Sequence, residues 1–133
     1  MFYSDNLKKN KDIEHCFFSR KNGISKGIYE SLNCGIGSQD KKEDVQKNLE
    51  VVAKNFKIEK KQLILMNQTH SNKVQIVESK NNLERIKADA MLTQNNELAL
   101  CVLTADCAPI LIYEKDKKLL AAYMLAGKEQ LTG

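Results

Sequence analysis

Long hydrophobic runs are missing from this 133-residue chain. No stretch approaches the ~20 consecutive apolar residues of a membrane-spanning helix, so no membrane partner is expected. The opening residues, Met1-Phe-Tyr-Ser-Asp-Asn-Leu-Lys-Lys9, lack the apolar segment of a secretion signal, and we read the protein as cytoplasmic. Arginine is scarce: Arg20 and Arg85 are the only two, and lysine carries almost all of the positive charge behind the net +4. Those lysines are scattered among acids instead of gathered with aromatics, which argues against a nucleic-acid partner. Cys16, Cys34, Cys101 and Cys107 form no Cys-x-x-Cys pair, which excludes a zinc ribbon or a thioredoxin-like motif. Without a secretion signal they are expected as free thiols. Proline occurs once, at Pro109, and histidine twice, at His15 and His70. There is no internal repeat or low-complexity linker, and no pattern that sets an oligomeric state.

What the chain does have is enough apolar residue, 42%, for a core, and a length that suits a single domain over residues 1–133. The densest apolar region is 98–113. Two runs, 98–103 and 110–113, flank the short polar turn Thr104-Ala-Asp-Cys107, with Pro109 just beyond. Such runs suit strands buried on both faces. A carboxylate and a thiol buried in the turn between them would need partners. His70, in Asn67-Gln-Thr-His-Ser-Asn72, is a candidate partner, because a thiol and an imidazole delivered from two loops are typical zinc ligands. Taken by itself, His70 equally reads as a turn histidine bonded to backbone.

Taken in order, residues 14–19 read as a strand ending in a glycine turn at Gly23. Residues 27–37 are loop-like. By residue type alone Arg20 is a surface cation and Asn33 a turn former. Gly35-Ile-Gly37 lacks the third glycine of a dinucleotide fingerprint. Asp40 followed by Glu43 resembles a capping box, and Val45, Leu49, Val52 and Phe56 then fall on one helical face, predicting a helix over 40–55. Strands are expected at 63–66, around Val74 and Ile76, at 88–92, 98–103, 109–113 and 119–124, with a polar loop or single helical turn over 78–86. The whole predicts an α/β (α+β) sandwich: a mixed β-sheet with packed helices.

Several motifs then coincide. His15-Cys-Phe-Phe-Ser-Arg20 with Gly23-Ile-Ser25, Ser31-Leu-Asn33, Gln68-Thr-His70, Ala88-Asp-Ala90 and Thr104-Ala-Asp-Cys-Ala-Pro109 occur in this order. In order and spacing they resemble the YfiH family of laccase-domain proteins, whose members were called polyphenol oxidases and later purine nucleoside phosphorylases with adenosine deaminase activity. The resemblance runs from about residue 14 to 122 and implies a YfiH-like fold. It implies Zn2+ held by a histidine, a cysteine and a second histidine, with His70 matching the first and Cys107 the cysteine. It also implies purine nucleosides and phosphate as partners: phosphorolysis of adenosine, inosine, guanosine and S-methyl-5'-thioadenosine, and deamination of adenosine. Asp106 would orient a ligand or transfer a proton, Arg20 would hold phosphate, and Asn33 would bond the nucleoside.

The chain departs from the family pattern after residue 122. The family's second histidine lies in His-Ala-Gly-Trp-[Arg/Lys]-Gly, where this chain has Tyr123-Met-Leu-Ala-Gly-Lys-Glu129. His15 matches a different motif and does not replace it. If Tyr123 to Glu129 are encoded UAC AUG CUG GCU GGA AAG GAG, a one-base shift reads xUA CAU GCU GGC UGG AAA GGA, which is an aliphatic residue followed by His-Ala-Gly-Trp-Lys-Gly. Residues 123–133 are therefore expected to be an out-of-frame tail on the N-terminal portion of such a domain, leaving the fold incomplete at the C-terminus and the activity impaired. Three other functions fit parts of the pattern: an inactive structural remnant or binding module, a thiol hydrolase built on Cys107, His70 and Asp106, and a copper-dependent phenol oxidase. Copper usually recruits more histidines than two.

Overall fold

The computed structural model describes residues 1–79 and 86–125. The chain divides into two compact units, Met1–Lys60 and Lys61–Gly133.

The first unit begins with a short helix, α1 (Asp5–Lys8), whose N-cap Ser4 accepts a hydrogen bond from the Leu7 amide at 3.4 Å. The segment 14–19, expected as a strand, makes only one bridge, between Phe2 and Phe17, with both amide–carbonyl distances 2.8 Å. Its potential partner turns into α1 at Ser4, so the ladder ends after one residue pair. Side chains hold the segment in place of a ladder. His15 Nε2 accepts the Ser4 amide at 2.7 Å, and Phe18 meets Phe56 edge-on at 6.0 Å.

The main helix, α2, spans Lys42–Asn55. Val45, Asn48, Leu49, Val52 and Ala53 are its buried positions, a stripe at helical spacing. The predicted capping box does not form. The N-cap is Lys41, without a side-chain cap bond, because the Asp40 carboxylate is occupied elsewhere. It accepts the Ser25 hydroxyl at 2.6 Å and the Asn33 amide at 3.0 Å.

Among the described residues, the second unit holds seven strands: β1 (Leu63–Asn67), β2 (Val74–Ile76), β3 (Ile86–Lys87), β4 (Ala90–Thr93), β5 (Ala99–Cys101), β6 (Ala108–Glu114) and β7 (Leu119–Leu125). One sheet has the order β3-β1-β5 and is parallel. The other has the order β2-β4-β7-β6 and is mixed, with β2 parallel to β4 and β7 antiparallel to both its neighbours. Ile64 and Met66 from one sheet and Met91 and Met124 from the other join Val77, Ile86, Ala88 and Leu98 in a common apolar core. The mixed-sheet α/β class is therefore as expected.

The two apolar runs at 98–113 are not buried on both faces. Among the described residues both end as edge strands, β5 and β6, each paired on one side only. Their residues are accordingly half-buried, and Ile112 is 54% exposed. An edge position also explains why Pro109, which has no amide proton, is accommodated there. β2 is the opposite edge, with Val74 and Ile76 exposed. β7 continues through Tyr123, Met124 and Leu125, which pair with Ile110, Pro109 and Ala108, and Met124 is buried. The remainder of the expected tail, 126–133, and most of the predicted 78–86 loop lie outside the described residues. No helix among the described residues is long and apolar enough to cross a membrane.

Candidate functional site

β1 delivers the chain into Gln68-Thr-His-Ser71. His70 sits at this loop's turn with a left-handed φ of 54°, a conformation uncommon for a residue with a Cβ. What holds it there is Asp89, between β3 and β4, which is only 2% exposed. Its Oδ1 accepts the His70 amide at 2.9 Å. Its Oδ2 accepts the Ser71 amide at 2.8 Å, the Ser71 hydroxyl at 2.7 Å and the Thr69 hydroxyl at 3.0 Å. Burial pushes this carboxyl's pKa up, but the Ser71, Thr69 and His70 donors outweigh burial and hold it below the usual carboxylate range. The backbone of Asp89 is committed too: its amide donates to Lys73 O at 3.0 Å and its carbonyl accepts from Met124 at 3.0 Å. Sequence reasoning quoted Ala88-Asp-Ala90 as a motif but gave Asp89 no role. The signal available was an acid between two alanines at the mouth of a strand.

The Thr104–Cys107 turn comes to the same loop. The Cys107 thiol donates to Gln68 Oε1 at 3.6 Å, two positions from His70. The other end of that amide, Gln68 Nε2, is buried with no hydrogen-bond partner among the described residues. Cys107 is half-buried, whereas Asp106 and His70 are exposed. Asp106 is solvated, so the partner expected for a buried carboxylate is not required of it. The His70 side chain is not buried against backbone. Its amide is held by the Asp89 carboxylate.

Arg20 and Asn33 belong to the first unit. Arg20 donates from Nη2 to Glu30 O at 3.1 Å and lies 4.0 Å from the Glu30 carboxylate, both side chains being largely exposed. A guanidinium has five N–H donors, so most of its capacity is left to solvent. Asn33 is more tightly engaged. Its Nδ2 donates to Ser38 Oγ and Asp40 Oδ2, both at 3.0 Å, and its Oδ1 accepts the Gly35 amide at 3.0 Å. Beneath this loop lies Asn48 of α2, fully buried. It accepts from Ile24 N at 2.9 Å and donates to Ser25 Oγ, Ser31 O and Asn33 O at 2.9, 3.1 and 2.8 Å. Gly23 is required here, because a Cβ would stand 2.1 Å from Ser31 O. The Asn48–Ser25–Asp40–Asn33 network was not foreseen. Its polar core member sits on a face where the sequence pattern shows only apolar spacing.

The donor chemistry in the second unit suits a borderline metal: one imidazole and one thiol from adjoining loops. The count does not complete a site. Among the described residues, no three His, Cys, Asp or Glu side chains converge on a common point.

The family model described as multi-copper polyphenol oxidoreductase laccase matches residues 14–130. The chain belongs to this family. The laccase-family chain is 29% identical over 126 residues to a purine nucleoside phosphorylase of Bacteroides thetaiotaomicron, a match covering 89% of this chain and 47% of the relative. It is 32% identical over 120 residues to the purine nucleoside phosphorylase YlmD of Bacillus subtilis, covering 84% and 43%. Among solved structures, the YfiH protein of Bacillus licheniformis superposes with a TM-score of 0.75 at 23% identity, covering 80% of this chain and 43% of that one. A Neisseria meningitidis protein reaches 0.69 at 31% identity, with the same coverage. The chain thus spans less than half the length of these laccase-family relatives.

Proposed function

We propose that this chain is the metal-loop portion of a zinc-dependent purine nucleoside phosphorylase that also deaminates adenosine. The observation that carries this is the Cys107–Gln68 contact, which sets the cysteine turn against the His70 loop. Relatives named as purine nucleoside phosphorylases support purine nucleosides as the substrate class. Adenosine, inosine, guanosine and S-methyl-5'-thioadenosine, each with phosphate, are the members we propose. His70 Nδ1 or Nε2 and Cys107 Sγ would hold the zinc, which when bound supplies a Lewis acid and an acidified water. In phosphorolysis a phosphate oxygen bonds to the sugar C1' as the C1'–N9 bond breaks. The electron pair leaves on the purine, which takes up a proton. Asp106, exposed and next to Cys107 in the chain, would exchange that proton with solvent. Arg20, with most of its donors in water, would grip phosphate in a fork. Asn33, whose Nδ2 is taken up by Ser38 and Asp40, would bond the nucleoside through the second lone pair of its Oδ1.

The test pairs metal analysis with product analysis. The purified chain, loaded with zinc or copper, is incubated with adenosine and phosphate, and adenine, inosine and ribose 1-phosphate are separated. Zinc-dependent product, lost in Cys107→Ala and His70→Ala, supports the proposal. Turnover that survives a chelator and is stopped by alkylating Cys107 would show a thiol hydrolase instead. Phenol oxidation with copper would favour the chemistry in the family's description. No turnover alongside a defined complex on sizing would show a binding module. In an active preparation, Arg20→Ala should abolish phosphorolysis with zinc retained, and unchanged phosphate dependence would rule out Arg20 as the phosphate-holding residue.

A further inference from the structure

Asp89 has no role in the proposed chemistry, yet among the described residues it is the most heavily engaged acid in the second unit. Six hydrogen bonds converge on it: four on its carboxylate and two on its backbone. All four carboxylate bonds come from three consecutive residues, Thr69, His70 and Ser71, and the middle one is the candidate ligand. A carboxylate that accepts successive amides and hydroxyls fixes the path of a loop more tightly than any one of them does. The middle residue is also the one with positive φ, a backbone state that persists only when its surroundings impose it. Asp89 in turn is tied to β7 through its carbonyl bond from Met124, so the loop is referenced to the sheet and does not float above it.

From this we infer that Asp89 is the positioning residue for His70: it locks the left-handed turn at His70 in the loop that meets the cysteine turn through Gln68. The inference rests on the reading of His70 as a ligand only for its use. The locking itself is a property of the metal-free chain and is tested without metal. Asp89→Asn keeps the shape and one carbonyl oxygen but turns an amide group toward donors. Backbone amide exchange at His70 and Ser71, followed by NMR on the metal-free chain, should be slow in the parent although the loop is exposed. It should quicken roughly tenfold in Asp89→Asn. Exchange at Met91 and Leu92 in β4 and the alkylation rate of Cys107 should stay as in the parent. The His70 three-bond amide–Hα coupling and Cβ shift should leave their left-handed values, a signature that general loosening of the sheet would not give.

Should Asp89→Asn fail to fold, Ser71→Ala removes one bond and leaves the carboxylate. A smaller acceleration at the same two amides is expected of it. Unchanged exchange and coupling at His70 in whichever variant folds overturns the inference. Zinc titration followed by the His70 ring nitrogen shifts then separates the two ideas. A parent ring that ignores zinc removes the ligand reading while the exchange data still decide the locking. A ring that responds in the parent, and needs roughly tenfold more zinc in Asp89→Asn, joins them.

Discussion

Asn48 is the residue on which the first unit depends most. A fully buried amide serves four partners at 2.8–3.1 Å, spanning Ile24, Ser25, Ser31 and Asn33. Removing it strands the Ile24 amide and the Asn33 carbonyl, and takes one bond each from Ser31 O and the Ser25 hydroxyl. Asn48→Ala should cost ~3–5 kcal/mol, read as a lower urea midpoint, since each buried group left unpaired costs 1–3 kcal/mol. A loss under ~1 kcal/mol would mean that water replaces the amide freely. Asp40, at the other end of the network, gives a pH prediction. The Ser25 hydroxyl, then the Asn33 amide and the Lys41 amide, hold its pKa below the usual carboxylate range against a smaller opposing push from burial. A group depressed on folding adds stability that is present above its unfolded value and is lost as pH falls through its folded value. The acid limb of the stability curve should therefore be steeper in the parent than in Asp40→Asn, and equal slopes would contradict the assignment. Cys34 is the contrasting case. Burial pushes its thiol up to about 11, so it should resist alkylation in the native protein at neutral pH.

At the scale of elements, α2 was legible because the apolar stripe of Val45, Leu49 and Val52 is a local pattern. Its start was not, because Asp40 is drawn away by residues 15 and 7 positions upstream, and no local rule sees them. The same distinction runs through the strands. The β6–β7 hairpin was placed nearly to the residue by its charged turn, where the Glu114 carboxylate accepts the Asp116 and Lys117 amides at 3.2 and 2.6 Å. The burial of the apolar runs was misjudged because edge or centre is decided by strand order, a non-local property. At the site, Gln68, His70 and Cys107 were readable as motif residues, whereas the clamp by Asp89 depends on a fold that brings position 89 to the 69–71 loop. The vacant cap is itself testable. Lys41 has extended backbone angles and no cap bond, as an N-cap serine would want. Lys41→Ser should raise stability by ~1 kcal/mol and shift the urea midpoint upward. No gain would show that the first-turn amides of α2 already have good partners.

The whole molecule matches relatives of which it spans less than half, and its donors set what it can hold. The described residues offer an imidazole and a thiol on adjoining loops and no third converging ligand. Zinc takes four donors in a closed site and three protein donors in a catalytic one. Two donors with solvent should therefore bind far more weakly than the ~10–16 kcal/mol of complete structural sites. Equilibrium dialysis of the 133-residue chain should show one weak zinc, sensitive to pH through deprotonation of Cys107, and lost in both Cys107→Ala and His70→Ala. Binding with the tightness of a complete site would demand further ligands, from a second copy or from elsewhere in the chain, and sizing with and without zinc would separate those cases. Tight binding that survives both substitutions would place the metal away from these loops altogether. Adenosine phosphorolysis by the isolated chain should follow the same order, being feeble where zinc is feeble. Robust turnover at substoichiometric zinc would break the link between the metal loops and the chemistry.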